Sequence, residues 1–102
     1  MSAPPFELVY TVQADKILTN LERKQYQQKR KKVLRTLKQL QVYGPRHPGL
    51  HSHPYKSVQG PGGAAPWESY VESRTPGAWR IWWIYGPDTG QITIVLIGPH
   101  PD

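Results

Sequence analysis

Four histidines and one mid-strand arginine are the residues of this chain with chemical prospects. His47, His51 and His53 follow one another as His-x-x-x-His-x-His, and His100 comes directly after an apolar run. Imidazole changes charge near neutrality, so these groups can take and give protons at working pH. Neutral imidazoles are also the commonest metal ligands, and three at this spacing admit a zinc reading. No helical His pair backs that reading. A metal-independent ribonuclease instead needs a base for the 2′-hydroxyl, an acid for the leaving oxygen and a cation for the developing phosphorane charge. Histidines from two strands plus an arginine supply that set, and no metal or other cofactor is then expected. Histidines that merely cap surface loops are the third possibility. His100 stands apart from it, because the end of an apolar strand is where sheets commonly present working residues. The absence of cysteine excludes disulfides, thiolate metal sites and thiol catalysis, and it fits a reducing compartment.

Arg80 lies inside Gly77-Ala78-Trp79-Arg80-Ile81-Trp82-Trp83-Ile84-Tyr85. Strand alternation sends Trp79, Ile81, Trp83 and Tyr85 to one face and Arg80, Trp82 and Ile84 to the other. The first set suits a core. A mid-strand arginine is costly to bury unpaired. Arg80 is therefore expected either to pair with Glu68 or Glu72 of the neighbouring strand or to grip a phosphate. Trp82 beside it offers a ring for base stacking, with plain packing as the alternative.

These residues need elements to position them. Phe6–Thr11 reads as a short strand. The stretch from Gln13 to Gln41 has no Gly or Pro and reads as two helices jointed near Thr19-Asn20, with Asn20 a candidate cap for the second. Tyr26, Arg30, Val33, Leu34, Leu37 and Leu40 follow the spacing of a buried helical stripe, which Gly44-Pro45 ends. Leu50–Val58 reads as extended, with Pro54 limiting it to an edge or a bulge. Gln59–Pro66 is a loop. Trp67–Ser73, Trp79–Tyr85 and Gln91–Ile97 are three strands joined by hairpin-like turns. The expected architecture is α+β: an N-terminal strand and a two-helix hairpin packed on one face of a mainly antiparallel sheet of four to five strands. Val33, Leu34, Leu37 and Leu40 should be buried against Trp79, Ile81, Trp83 and Tyr85.

Composition bounds the setting. The 102 residues suit one domain spanning 1–102. Thirteen Lys and Arg against seven Asp and Glu leave a net charge of +6, which favours polyanionic partners. Eight of the thirteen cations fall between Arg23 and Lys38, with Glu22 the only acid beside them. Such a run is either a solvated helix face or a phosphate-tracking, ribosome-facing surface. The lack of interspersed Glu favours the second. No apolar run approaches the ~20 residues that span a bilayer. Met1-Ser2-Ala3-Pro4-Pro5 has no charged and apolar segments of a secretory signal, so a soluble cytoplasmic protein without a membrane partner is expected.

Three segments resemble the RelE/ParE superfamily of type II toxin–antitoxin toxins over nearly the whole chain. They are the basic helical hairpin after a first strand, the pair Trp67…Trp79-Arg80-Ile81-Trp82-Trp83-Ile84-Tyr85, and the closing Ile92-Thr93-Ile94-Val95-Leu96-Ile97-Gly98-Pro99-His100. The resemblance is closest to the YoeB-like mRNA interferase branch. It implies that Arg80 matches the strand arginine on the scissile phosphate and His100 the terminal general acid. His53, in His53-Pro54-Tyr55-Lys56, falls where that branch carries a glutamate base. Lys56, Arg74, Trp82, Tyr70, Lys31, Lys32 and Arg35 are then the candidate RNA contacts, Lys56 reaching the face of His53 only through a bulge at Pro54. The chain departs from RelE itself, whose strand lysines are replaced here by Glu68 and Tyr70, and from the family's C-terminal tyrosine.

The resemblance implies a toxin that cuts mRNA on the ribosome as a metal-independent endoribonuclease hydrolase. Its cognate acidic antitoxin would bind it in a hetero-oligomer. The alternative is a non-catalytic ParE-like toxin acting on DNA gyrase, or a degenerate member that only binds RNA or protein. The combination of His53, Arg80 and His100 favours the nuclease.

Overall fold

The computed structural model describes residues 3–57 and 59–101. Val58, the last residue of the expected extended stretch, lies outside the described residues. The chain runs β1 (Glu7–Tyr10), α1 (Val12–Asn20), α2 (Gln27–Tyr43), β2 (His53–Pro54), β3 (Trp67–Tyr70), β4 (Trp79–Tyr85) and β5 (Gln91–Pro99). The fold is α+β, with a five-stranded sheet in the order β1-β5-β4-β3-β2. Only the β1–β5 pair is parallel, because the two helices carry the chain across one face before it returns.

Thr11 starts α1. Its Oγ1 accepts from the Ala14 backbone N–H at 3.1 Å, satisfying one of the free donors of the first turn. Asn20 does not cap the second helix. Six residues separate it from α2, and the gap is bridged by a 3-10 turn over Lys24–Tyr26. The Gln27 side-chain amide ties that turn by donating to the carbonyls of Glu22 and Arg23. Gly44 ends α2 at φ +83°, a conformation glycine adopts without strain.

The core lies between the helices and one sheet face. Val33, Leu37 and Leu40 of α2 join Ile81, Trp83, Ile92, Ile94 and Ile97, with Trp67 and Trp79 packed at the margin. Burying each such aliphatic side chain contributes about 1.5–3 kcal/mol. Leu34 corrects the expected stripe, since it is 40% exposed and Thr36 is buried instead. At about 100° per residue, Val33, Thr36, Leu37 and Leu40 cluster on one line of the helix, whereas Leu34 falls well to its side. Tyr85 is also half-exposed, although its ring still meets Trp83 and Trp67 edge-on.

One irregularity in β5 decides what the open face carries. Trp82 pairs with Leu96 and Trp83 with Ile94, so Val95 is an extra residue in the ladder. Strict alternation would put Ile92, Ile94, Leu96, Gly98 and His100 on one face. The bulge reverses the sense after Val95: Ile97 joins Ile92 and Ile94 in the core, and Gly98 and His100 turn to the open face. Thr11 holds the bulge from the other side, its Oγ1 donating to the Val95 carbonyl at 2.7 Å. Among the described residues no helix is long and apolar enough to cross a membrane.

Candidate active site

Strand register collects the site on the open face. His53 of β2 pairs with Glu68 of β3, which pairs with Trp82 of β4; one row further, Tyr70 pairs with Arg80, and Arg80 with Gly98. Residues in register share a face. His100 follows β5, held there by its backbone N–H, which donates to the Ala78 carbonyl.

At the centre is Glu68, only 2% exposed. His53 Nε2 lies 3.0 Å from its Oε1, Arg80 Nε 3.6 Å from the same oxygen, and His100 Nε2 3.6 Å from Oε2. Both imidazoles remain reachable, His53 at 41% and His100 at 32% side-chain exposure. Reachable imidazoles backed by a buried carboxylate can exchange protons with a ligand while the carboxylate holds their orientation. The candidate triad His53, Arg80 and His100 is thus brought together. From the sequence, Glu68 is expected only as a possible partner of Arg80. Its signal in the sequence was the strand position itself, an acid on the strand next to that of Arg80.

The hydrogen bonds constrain the protons. His53 Nδ1 is 2.7 Å from the His51 carbonyl, which only accepts, so Nδ1 carries a hydrogen. His53 Nε2 then faces the carboxylate at 3.0 Å, and a bond there needs a second proton, on the imidazole or on Glu68. His51 supplies its carbonyl from a left-handed conformation at φ +48°, a local strain of about 1–2 kcal/mol. Its ring packs against Tyr70 at 5.0 Å.

Arg80 is gripped from several directions. Its guanidinium lies 3.8 Å from the Tyr70 ring centroid and donates to the carbonyls of Glu72 and Trp79. The expected pairing with Glu68 or Glu72 therefore takes two forms: a carboxylate neighbour in Glu68 and a backbone acceptor in Glu72. The Glu72 carboxylate faces the helix layer, where it meets Lys29 Nζ at 2.6 Å and Lys32 Nζ at 3.0 Å and accepts from the Trp79 N–H. Burial pushes its pKa up, but the hydrogen bonds from Lys29, Lys32 and Trp79, with the charge of Lys29, outweigh that and lower it to about 2.

The other candidate RNA contacts separate. Tyr70 belongs to the cluster through Arg80, His51 and His53. Trp82 is 2% exposed, with Tyr55 5.8 Å away, so its ring faces are covered and base stacking on it is corrected to packing. Lys32 holds Glu72. Lys31 and Arg35 are exposed on α2, whose buried stripe packs on the opposite face of the sheet from Glu68. Lys56 and Arg74 are exposed in loops, Arg74 at φ +64°. The basic helix and the histidine cluster are therefore two surfaces.

The His-x-x-x-His-x-His run also disperses. His47 Nδ1 accepts from the Gly49 N–H and its ring lies tilted beside Tyr43, His51 lies against Tyr70, and His53 turns to Glu68. Among the described residues no group of three or more His, Cys, Asp or Glu is arranged to hold a metal ion. Comparison with protein-family models, with curated proteins and with solved structures finds no match to this chain.

Proposed function

We propose that the protein is a cytoplasmic toxin of the mRNA interferase kind, an endoribonuclease working by metal-independent acid–base cleavage and restrained by an acidic antitoxin. The observation that supports it best is the convergence of His53, His100 and Arg80 within 3.6 Å of one buried carboxylate on an open sheet face. In this reading Arg80 holds the charge developing on the phosphate. His53 takes the 2′-hydroxyl proton once Nε2 turns from Glu68 toward the substrate. His100 protonates the leaving 5′-oxygen, its Nε2 standing beyond hydrogen-bond distance of Glu68 and so free to redirect. The exposed cations of α2 suit ribosomal RNA or an acidic antitoxin segment, and such a hetero-complex should weaken steeply with salt.

A second reading has its own support. Both ring nitrogens of His53 are engaged, and Arg80 is held by Glu68, Tyr70 and two carbonyls. A cluster whose imidazole and guanidinium are already engaged in this way suits a binder, such as a gyrase-directed toxin or an RNA- or protein-binding relative. Induced expression followed by RNA end-mapping and a supercoiling assay on the same cells separates the two. New RNA ends that disappear in His100→Ala support the nuclease; altered supercoiling with intact RNA supports the binder.

A further inference from the structure

The rings of Tyr55, Tyr70 and Trp82 border the open-face cluster, and they differ as surfaces for a nucleobase. Trp82 is 2% exposed beside Tyr55. Tyr70 has the Arg80 guanidinium 3.8 Å from its centroid and the His51 ring 5.0 Å away, so its ring is already engaged. Tyr55 is half-buried, with its ring 5.8 Å from that of Trp82 and 5.7 Å, edge-on, from that of His100. Among the described residues, Glu68 Oε2, Arg80 Nε and Trp82 Nε1 are buried without a hydrogen-bond partner, so the corner is polar although its walls are aromatic.

Main chain and packing fix Tyr55 there. Its N–H donates to the Pro66 carbonyl at 2.9 Å, closing the base of the segment that joins β2 to β3. Further along, Gly60 lies against Ile84: a Cβ added to it would stand 3.2 Å from Ile84 Cγ2 and 3.1 Å from the Ala64 carbonyl. Ile84 shares the sheet face of Trp82, so the segment is laid along the open face. The Tyr55 hydroxyl has no hydrogen-bond partner among the described residues, and the fold does not use it.

We propose that Tyr55 is the base-stacking residue of the site, and that the nucleobase following the cut lies on its ring. The proposal rests on the nuclease reading, in which His100 protonates the leaving 5′-oxygen. The base joined to that oxygen is one sugar away, and Tyr55 is the aromatic side chain that meets His100. The next residue, Lys56, is exposed and brings a cation for the phosphate beyond that sugar. Stacking on an aromatic ring accepts any base, so the contact sets affinity and register more than sequence choice. The role expected of Trp82 from its strand position thus passes to the ring that covers it.

The probe is an all-2′-deoxy single strand, which lacks the attacking hydroxyl, with one abasic position moved along it. Its affinity is read by fluorescence anisotropy, and end-mapping of RNA of the same sequence fixes the cut. Removing the base that follows the cut should weaken binding to the intact protein about tenfold, and removing a distant base should change it little. Tyr55→Leu keeps an apolar cover over Trp82 without a ring face. It should bind the complete strand about tenfold less tightly and lose nothing more with the abasic one. Tyr55→Phe should bind as the intact protein does. Phosphate contacts of the basic helix need no base, so they cancel in the comparison. An abasic loss equal in the intact protein and Tyr55→Leu, or no strand binding at all, overturns the assignment; cut RNA in either case leaves the nuclease reading standing. A loss at one position that vanishes in Tyr55→Leu, with no RNA cut, overturns the nuclease reading and keeps the stacking on Tyr55. If Tyr55→Leu does not fold, the abasic scan of the intact protein decides alone, and a flat profile overturns the proposal.

Discussion

On the covered face of the sheet, Ile81, Trp83, Ile92, Ile94 and Ile97 are buried against Val33, Leu37 and Leu40, and the Trp83 indole N–H donates to Ser69 Oγ, which in turn shares a hydrogen bond with Ser52. On the open face, one carboxylate answers to two imidazoles and a guanidinium, and three polar atoms stay unpartnered. The same β4 strand supplies both faces. Non-directional burial holds the first, so its energy is spread over many contacts. The second depends on a few directional charge contacts, each of which a ligand can replace. Stability is concentrated on one side of the strand and chemical readiness on the other.

The hardest way to break this contrast is through the covered face. Trp83→Ala should cost about 3–5 kcal/mol in urea unfolding. A loss under 1 kcal/mol would mean that Trp83 is not part of a packed core. On the open face, the proposed nuclease reading expects Arg80→Ala and His100→Ala each to slow RNA cleavage about 10²-fold or more while a chelator changes nothing. His100→Ala should also leave the melting temperature nearly unchanged. A chelator that abolishes cleavage would return the metal reading.

Glu72 ties α2 to the sheet, and its contribution depends on pH. Its pKa falls from the ordinary 4.5 to about 2 in the folded chain. A depressed carboxylate stabilises fully above its unfolded pKa and loses that contribution as pH drops toward the folded one. About 1–3 kcal/mol should therefore fade between pH 4.5 and about 2, the range allowing for screening at the exposed Lys32. Glu72→Gln should flatten this part of the acid-unfolding curve.

Thr11→Ala tests the connection between the two faces, since one hydroxyl caps α1 and holds the Val95 bulge. It should cost about 1–2 kcal/mol. Cleavage should fall several-fold as well if the bulge relaxes and His100 loses its place; a drop in stability alone would show that the bulge stands without Thr11. The smallest effect is expected for His47→Ala. This residue caps a turn away from Glu68, so cleavage should stay within about twofold and stability within ~1 kcal/mol.

Much of the framework was legible in local patterns. Period-two alternation in Trp79–Tyr85 assigned Ile81 and Trp83 to the core and Arg80 to the opposite face, and Gly44-Pro45 marked the end of α2. The misplacements have geometric causes. Leu34 fits the helical spacing numerically but lies off the line set by Val33, Leu37 and Leu40, and Asn20 precedes α2 by too many residues to cap it. Trp82 has the strand position of an exposed ring, yet Tyr55 from a distant segment lies over it.

By itself, the sequence determined the α+β class, the basic character of α2 and the identity of the groups able to move protons, because these depend on residue type and short-range period. Tertiary structure decided where those groups meet. Alternation counted along β5 sends His100 to the core side; the extra residue at Val95, secured by Thr11 from 84 positions away, turns it to Arg80 instead. The burial of Glu68 is likewise a property of the assembled sheet, since β2, β4 and the end of β5 each contribute a neighbour to a carboxylate that the strand sequence alone leaves exposed.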